Sequence, residues 1–87
     1  MTPAEARALA DIQGYALANR IEYGPHAWGR MRERGARRED VRSALVTATS
    51  CQAQPDDRWR VPGQDTEGEL LTVIVVLEDG VVVVTLY

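Results

Sequence analysis

Residues 70–87 read LLTVIVVLEDGVVVVTLY, and this stretch decides the fold. Two runs of β-branched and aliphatic residues, Leu70–Leu77 and Val81–Tyr87, flank Asp79-Gly80, a dipeptide that favours a two-residue hairpin turn. Such a turn pairs Glu78 with Val81, Val76 with Val83, Ile74 with Thr85 and Thr72 with Tyr87. It puts Leu71, Val73, Val75, Leu77, Val82, Val84 and Leu86 on one wholly apolar face. The other face carries Thr72, Ile74, Val76, Val83, Thr85 and Tyr87. A three-residue turn would mix the two sets. The pure face is expected to meet helices. The mixed face needs a cover: a partner chain, a homodimer mate or the first helix.

Working back from the hairpin, Arg58–Val61 alternates, with Arg58 and Arg60 on one side and Trp59 and Val61 on the other. Pro62-Gly63 and the polar residues to Gly68 read as a loop, Pro55-Asp56-Asp57 as a turn, and Ser50–Gln54 as a further strand. Before Thr49 the period is helical. Val41, Ala44, Leu45 and Ala48 recur at i, i+3, i+4 and i+7, with Glu39 and Asp40 in the first turn. Ala36, Arg37 and Arg38 offer that helix no side-chain cap. A second helix starts just after Pro25 and runs to Arg34, with Gly35 as a left-handed stop. The first has Thr2 as N-cap, Pro3 at the first helical position and Glu5 three residues after the cap. Leu9, Ile12 and Ala16 form its stripe. It ends near Leu17 to Asn19, and Arg20–Tyr23 is one short extended step. The expected fold is therefore α+β: three N-terminal helices packed on a three- to four-stranded antiparallel sheet.

Eighty-seven residues allow a single domain spanning 1–87. The hydrophobic content of 45% and charged content of 26% fit a globular chain, not a disordered one. The single cysteine allows no internal disulfide, so a cytoplasmic setting is expected. No apolar run reaches the roughly 20 residues of a membrane helix, and no signal peptide is expected. Net charge is −3, but all ten basic residues are arginine and seven of them fall between Arg20 and Arg42, against four acids. Such a local patch suits a focused phosphate contact rather than indiscriminate coating of nucleic acid.

His26 is the only histidine, and Arg30 and Arg34 follow it at i+4 and i+8 on one broad helix face. An imidazole can move a proton near neutral pH, and guanidiniums can hold a phosphate through a charge-rich transition state. Without such a role the same residues make a solvated basic helix face. Arg58 and Arg60 either guard an edge strand or join that patch. Tyr87 either caps the core or meets a base. Trp28 and Trp59 read as core or interface anchors. One histidine and one cysteine supply no metal cluster, and no glycine-rich phosphate loop is present, so neither metal nor cofactor is expected.

The segment His26-Ala27-Trp28-Gly29-Arg30-Met31-Arg32-Glu33-Arg34-Gly35, followed by Glu39-Asp40-Val41, resembles a small bacterial family of unknown function with the pattern His-Ala-x-x-Arg-Met-x-x-Arg-Gly. Arg58-Trp59-Arg60-Val61 and Thr85-Leu86-Tyr87 extend the likeness, which covers about Ile21 to Tyr87. Ala36-Arg37 departs from the Ile-Ser or Ile-Thr usual before the third helix. That family looks related to the RelE- and BrnT-type ribonuclease toxins, in which helices pack on a small antiparallel sheet and RNA is cleaved without metal. The resemblance implies His26, Arg30, Arg34, Arg60 and Tyr87 as catalytic candidates. It also implies RNA, free or ribosome-associated, as substrate and a cognate antitoxin as partner. The alternative expectation is a non-enzymatic interaction module, a dimeric adaptor or antitoxin-like partner, using the outer face of the sheet around Val76, Val83 and Tyr87. A third is RNA binding without turnover.

Overall fold

The computed structural model describes residues 1–87. Helix α1 (Pro3–Leu17) leads through strand β1 (Ile21–Tyr23) into α2 (Pro25–Arg34) and α3 (Arg38–Thr47), and then come β2 (Gln52–Gln54), β3 (Arg58–Gln64), β4 (Leu70–Leu77) and β5 (Val81–Leu86). The strands form one sheet in the order β1-β5-β4-β3-β2. The chain is thus α+β with three helices, as expected. The sheet has five strands rather than three or four, and it is mixed, because β1 runs parallel to β5 while every other pair is antiparallel. No helix is long and apolar enough to cross a membrane.

The local signals at the helix ends act as the residue types dictate. Thr2 Oγ1 accepts the Glu5 amide at 3.1 Å while Glu5 Oε1 accepts the Thr2 amide at 2.8 Å, a reciprocal cap. Gly35 stops α2 at φ +69°. Helix α3 lacks a capping side chain at Arg37, and Asp40 supplies the remedy from inside the helix: its Oδ2 accepts the Arg37 amide at 2.9 Å. The C-terminal ends of α1 and α3 are capped by each other. Gln13 Nε2 donates to the carbonyls of Leu45, Val46 and Ala48, and Arg42 Nε donates to that of Ala16.

One core joins the helices to one face of the sheet. It holds Leu9, Ile12 and Ala16 of α1, Ala27 and Met31 of α2, Val41, Ala44 and Leu45 of α3, and Val61, Leu71, Val73, Val75, Val81, Val83 and Leu86 of the sheet. Here the hairpin departs from expectation. Leu77 pairs with Val81, so the turn has three residues, Glu78-Asp79-Gly80, and Val81 and Val83 face the core in place of Val82 and Val84. Val83 is therefore unavailable to any interface on the outer face. A bulge between Ile74 and Val75 then restores the expected pairing of Ile74 with Thr85, and Thr72 exchanges backbone bonds with Tyr87. The longer turn is held from outside the hairpin. Arg20 Nη2 donates to the Asp79 carbonyl at 2.6 Å and pairs with its carboxylate at 3.3 Å, and Asp79 takes a left-handed φ of +52°.

Strand β3 also runs on through Pro62-Gly63, expected as loop. Pro62 is tolerated because β2 ends opposite Arg60, so beyond that point β3 is itself an edge and the missing N–H has no neighbour to serve. Gly63 lets β3 lie against α3: a Cβ there would stand 1.8 Å from the Ala44 carbonyl oxygen.

Candidate functional site

Helix α2 takes over the edge of β5 where β1 stops. The Gly24 amide donates to the Val83 carbonyl at 2.9 Å, the chain turns into α2, and six residues on Arg30 Nε donates to the Leu86 carbonyl at 3.1 Å. Tyr87 exchanges its backbone bonds with Thr72, so the Leu86 carbonyl points away from β4 and Arg30 is its partner. One turn further, Arg34 Nη2 donates to the Leu70 carbonyl at 2.7 Å. Both arginines thus stitch α2 to the end of the sheet. Each uses only part of its five-donor fork in doing so, although Arg30 also meets Glu33 at 3.1 Å. Ala27 and Met31 bury an adjoining strip of α2: at ~100° per residue Arg34, Arg30 and His26 stand ~20°, ~60° and ~100° round the helix from Ala27, progressively further from the core.

On the face of the sheet away from the core, Arg60 stands opposite Ile74, and Tyr87 exchanges backbone bonds with Thr72. Arg60 Nε donates to the Tyr87 hydroxyl at 3.0 Å, and its Nη1 donates to Gln52 Oε1 at 3.3 Å. The phenol accepts in that bond, so its own hydrogen stays free for another acceptor. Arg60 and Tyr87 together lie over Thr72 and Ile74, which are 2% and 7% exposed although no helix covers them.

His26 lies in the first turn of α2, exposed, and its side chain makes no hydrogen bond or ion pair within the chain. Helix geometry sets it ~6 Å along the axis from Arg30 and ~12 Å from Arg34. The structure therefore brings Arg60 and Tyr87 into contact, ties Arg30 and Arg34 to the adjoining strand ends, and leaves His26 as the free end of the same helix. Arg30, Arg34, Arg60 and Tyr87 thus form an open strip at the end of the sheet where β4 begins and β5 ends, and the His26 side chain bonds to none of them. Two clefts of the fold lie elsewhere: one of about 330 Å³ and one of about 240 Å³, both bordering β1, and neither is lined by any of the five.

Gln52 escaped the sequence reading. Its place beside Arg60 follows from the Pro55-Asp56-Asp57 turn, which sets Gln52 opposite Arg60, and the length of that turn is the signal that could have found it. Trp28 is not a core anchor: it is 45% exposed and its ring packs at a 39° tilt against Tyr23, centroids 4.9 Å apart. Cys51 is buried, donates from Sγ to the Glu5 carbonyl, and its thiol is pushed up chiefly by that burial. No protein-family model, curated protein or solved structure matches the chain.

Proposed function

We propose that the protein is a metal-independent endoribonuclease of toxin type, neutralised by a cognate antitoxin. The observation that carries this reading is the grouping of three partly committed guanidiniums, Arg30, Arg34 and Arg60, with the Tyr87 hydroxyl around one end of the sheet, next to the helix that presents His26. In this reading the remaining donors of Arg30, Arg34 and Arg60 grip the scissile phosphate and neutralise its growing charge. His26 takes the proton of the neighbouring 2′-hydroxyl, or delivers one to the leaving oxygen. The 2′-oxygen bonds to phosphorus as the bond to the 5′-oxygen breaks. The products are a 2′,3′-cyclic phosphate and a free 5′-hydroxyl. Tyr87 orients the substrate.

Incubation of the purified protein with a short oligoribonucleotide in excess chelator tests this. Cleavage to a cyclic-phosphate end is expected. It should fall about 100-fold or more in His26→Ala, within the usual range for a general acid or base, and Arg34→Ala should lower it further. A substrate with a 2′-deoxy sugar at the cleaved position should resist. Intact RNA with the unaltered protein, or equal cleavage by His26→Ala, overturns the reading.

A further inference from the structure

The two edges of the sheet are finished differently. At β2 the outward Ala53 amide is taken by Glu5 Oε2 at 2.9 Å, and the preceding Cys51 amide by the Met1 sulfur at 3.3 Å. Nothing equivalent protects β1. In its parallel ladder the Arg20 carbonyl accepts from Val81 and the Gly24 amide donates to Val83. A parallel strand bonds its neighbour through alternate residues, so Arg20, Glu22 and Gly24 face β5. Ile21 and Tyr23 turn their N–H and C=O groups outward, where no group of the chain meets them.

The cleft of about 330 Å³ runs beside that edge on the helix side, lined by Asn19, Ile21, Tyr23, Arg38, Glu39 and Arg42. Glu39 is already paired with Arg37 at 3.5 Å. The Arg38 side chain is exposed and has no hydrogen bond or ion pair, and that of Arg42 is bonded only to carbonyls of α1. The cleft is therefore a basic one along an open row of backbone donors and acceptors. A phosphate offers acceptors only and would leave the outward carbonyls of Ile21 and Tyr23 unserved. Another extended backbone serves both kinds of group.

We propose that β1 is a docking edge for an extended acidic peptide, which adds beside Ile21–Tyr23 as a sixth strand and sets carboxylates at alternate positions over Arg38 and Arg42. The intervening side chains face Glu22 on the opposite side of the sheet, so this site prefers an alternating segment to a uniformly acidic one. The site stands apart from the strip that carries the ribonuclease reading.

Titration of isotope-labelled protein with a blocked octapeptide alternating glutamate and threonine tests the proposal, with the lysine–threonine peptide as comparison. The Ile21 and Tyr23 amides are expected to shift and to exchange with solvent at least tenfold more slowly. Arg38→Glu, which breaks no bond of the fold, should weaken binding about tenfold. Methylating alternate backbone nitrogens of the peptide should abolish it at unchanged charge. His26→Ala should bind the peptide as before, so failure of RNA cleavage leaves this test intact. No response of Ile21 and Tyr23 at about 5 mM peptide, equal binding of the lysine peptide, or undiminished binding of the methylated one overturns the proposal.

Discussion

The same strands show two different surfaces. On the covered face, Val61, Leu71, Val73, Val75, Val81, Val83 and Leu86 are each at most 1% exposed and belong to one apolar cluster with residues of the three helices. On the open face, Arg60 donates side-chain hydrogen bonds to Gln52 and Tyr87, with no helix above them. Close packing punishes any change of volume, while exposed polar contacts contribute little to stability and remain free to serve a ligand. The covered face should thus answer substitution by unfolding, and the open face by loss of function at constant stability.

The largest effect is expected where β3 touches α3. Gly63→Ala places a methyl group 1.8 Å from the Ala44 oxygen and 2.5 Å from its carbonyl carbon, both backbone atoms that cannot rotate away. Helix and strand must separate, and the penalty should reach about 3 kcal/mol or more. Tm should fall by more than ~10 °C, since 1 kcal/mol moves a domain of this size by ~4–8 °C. A Tm within ~3 °C of the original would show that the covered face is looser than its geometry implies.

A smaller effect is expected at the rim, where Asp40 ties α3 to the β3–β4 loop. Its carboxylate accepts the Thr66 hydroxyl at 2.6 Å, the Thr66 amide at 3.1 Å and the Arg37 amide at 2.9 Å. These bonds, the Thr66 hydroxyl foremost, hold its pKa down at about 2. The unfolded chain titrates this group near its ordinary value of 3.8, so between the two the unfolded state binds the extra proton. The contribution is complete above about pH 4 and is lost as pH falls towards 2. Asp40→Asn should lower stability by ~1–2 kcal/mol at pH 7 through its weakened hydrogen bonds. The gap between variant and parent, read from urea midpoints, should close on acidification. A constant gap from pH 7 to pH 2 would show that the charge on Asp40 contributes nothing.

What the sequence reveals follows the range of the forces involved. The α1 cap, the Gly35 stop and the α3 stripe are set by neighbours within about four residues, and each falls where the residue types put it. The parallel pairing of β1 with β5 joins residues about sixty apart through three residues without periodicity, so no local pattern announces it. The hairpin register was missed near the turn because Arg20, outside the hairpin, holds Asp79 in a longer loop. It was met again near Tyr87 because the bulge restores the apolar face. In the candidate site, helical spacing predicted that His26, Arg30 and Arg34 share a side of α2. It could not reveal that Arg30 and Arg34 are bonded to strand carbonyls, since those bonds depend on where β5 and β4 end. The extended step at Ile21–Tyr23 was legible, but the cleft beside it was not, because the cleft depends on the parallel pairing of β1 with β5.

The smallest change in stability, and the sharpest separation of the two faces, is expected from Tyr87→Phe. The substitution keeps the ring beside Thr72 and removes the hydroxyl, which is both the acceptor for Arg60 Nε and a free donor. Tyr87 is 44% exposed, so water can replace that bond, and the loss should stay within ~0.5 kcal/mol, or ~2–4 °C in Tm. Arg60 keeps its bond to Gln52 and its charge, so the basic strip stays in place. RNA cleavage should nevertheless fall about tenfold, because the free phenolic hydrogen is an uncharged donor that orients the substrate, and about 1.4 kcal/mol in the transition state is worth that factor. A fall in Tm as large as that of Gly63→Ala would mean that the open face is held together by the Arg60–Tyr87 pair and is as structural as the core. Unchanged cleavage at unchanged Tm would remove Tyr87 from the site and leave its ring with the single task of covering Thr72 and Ile74.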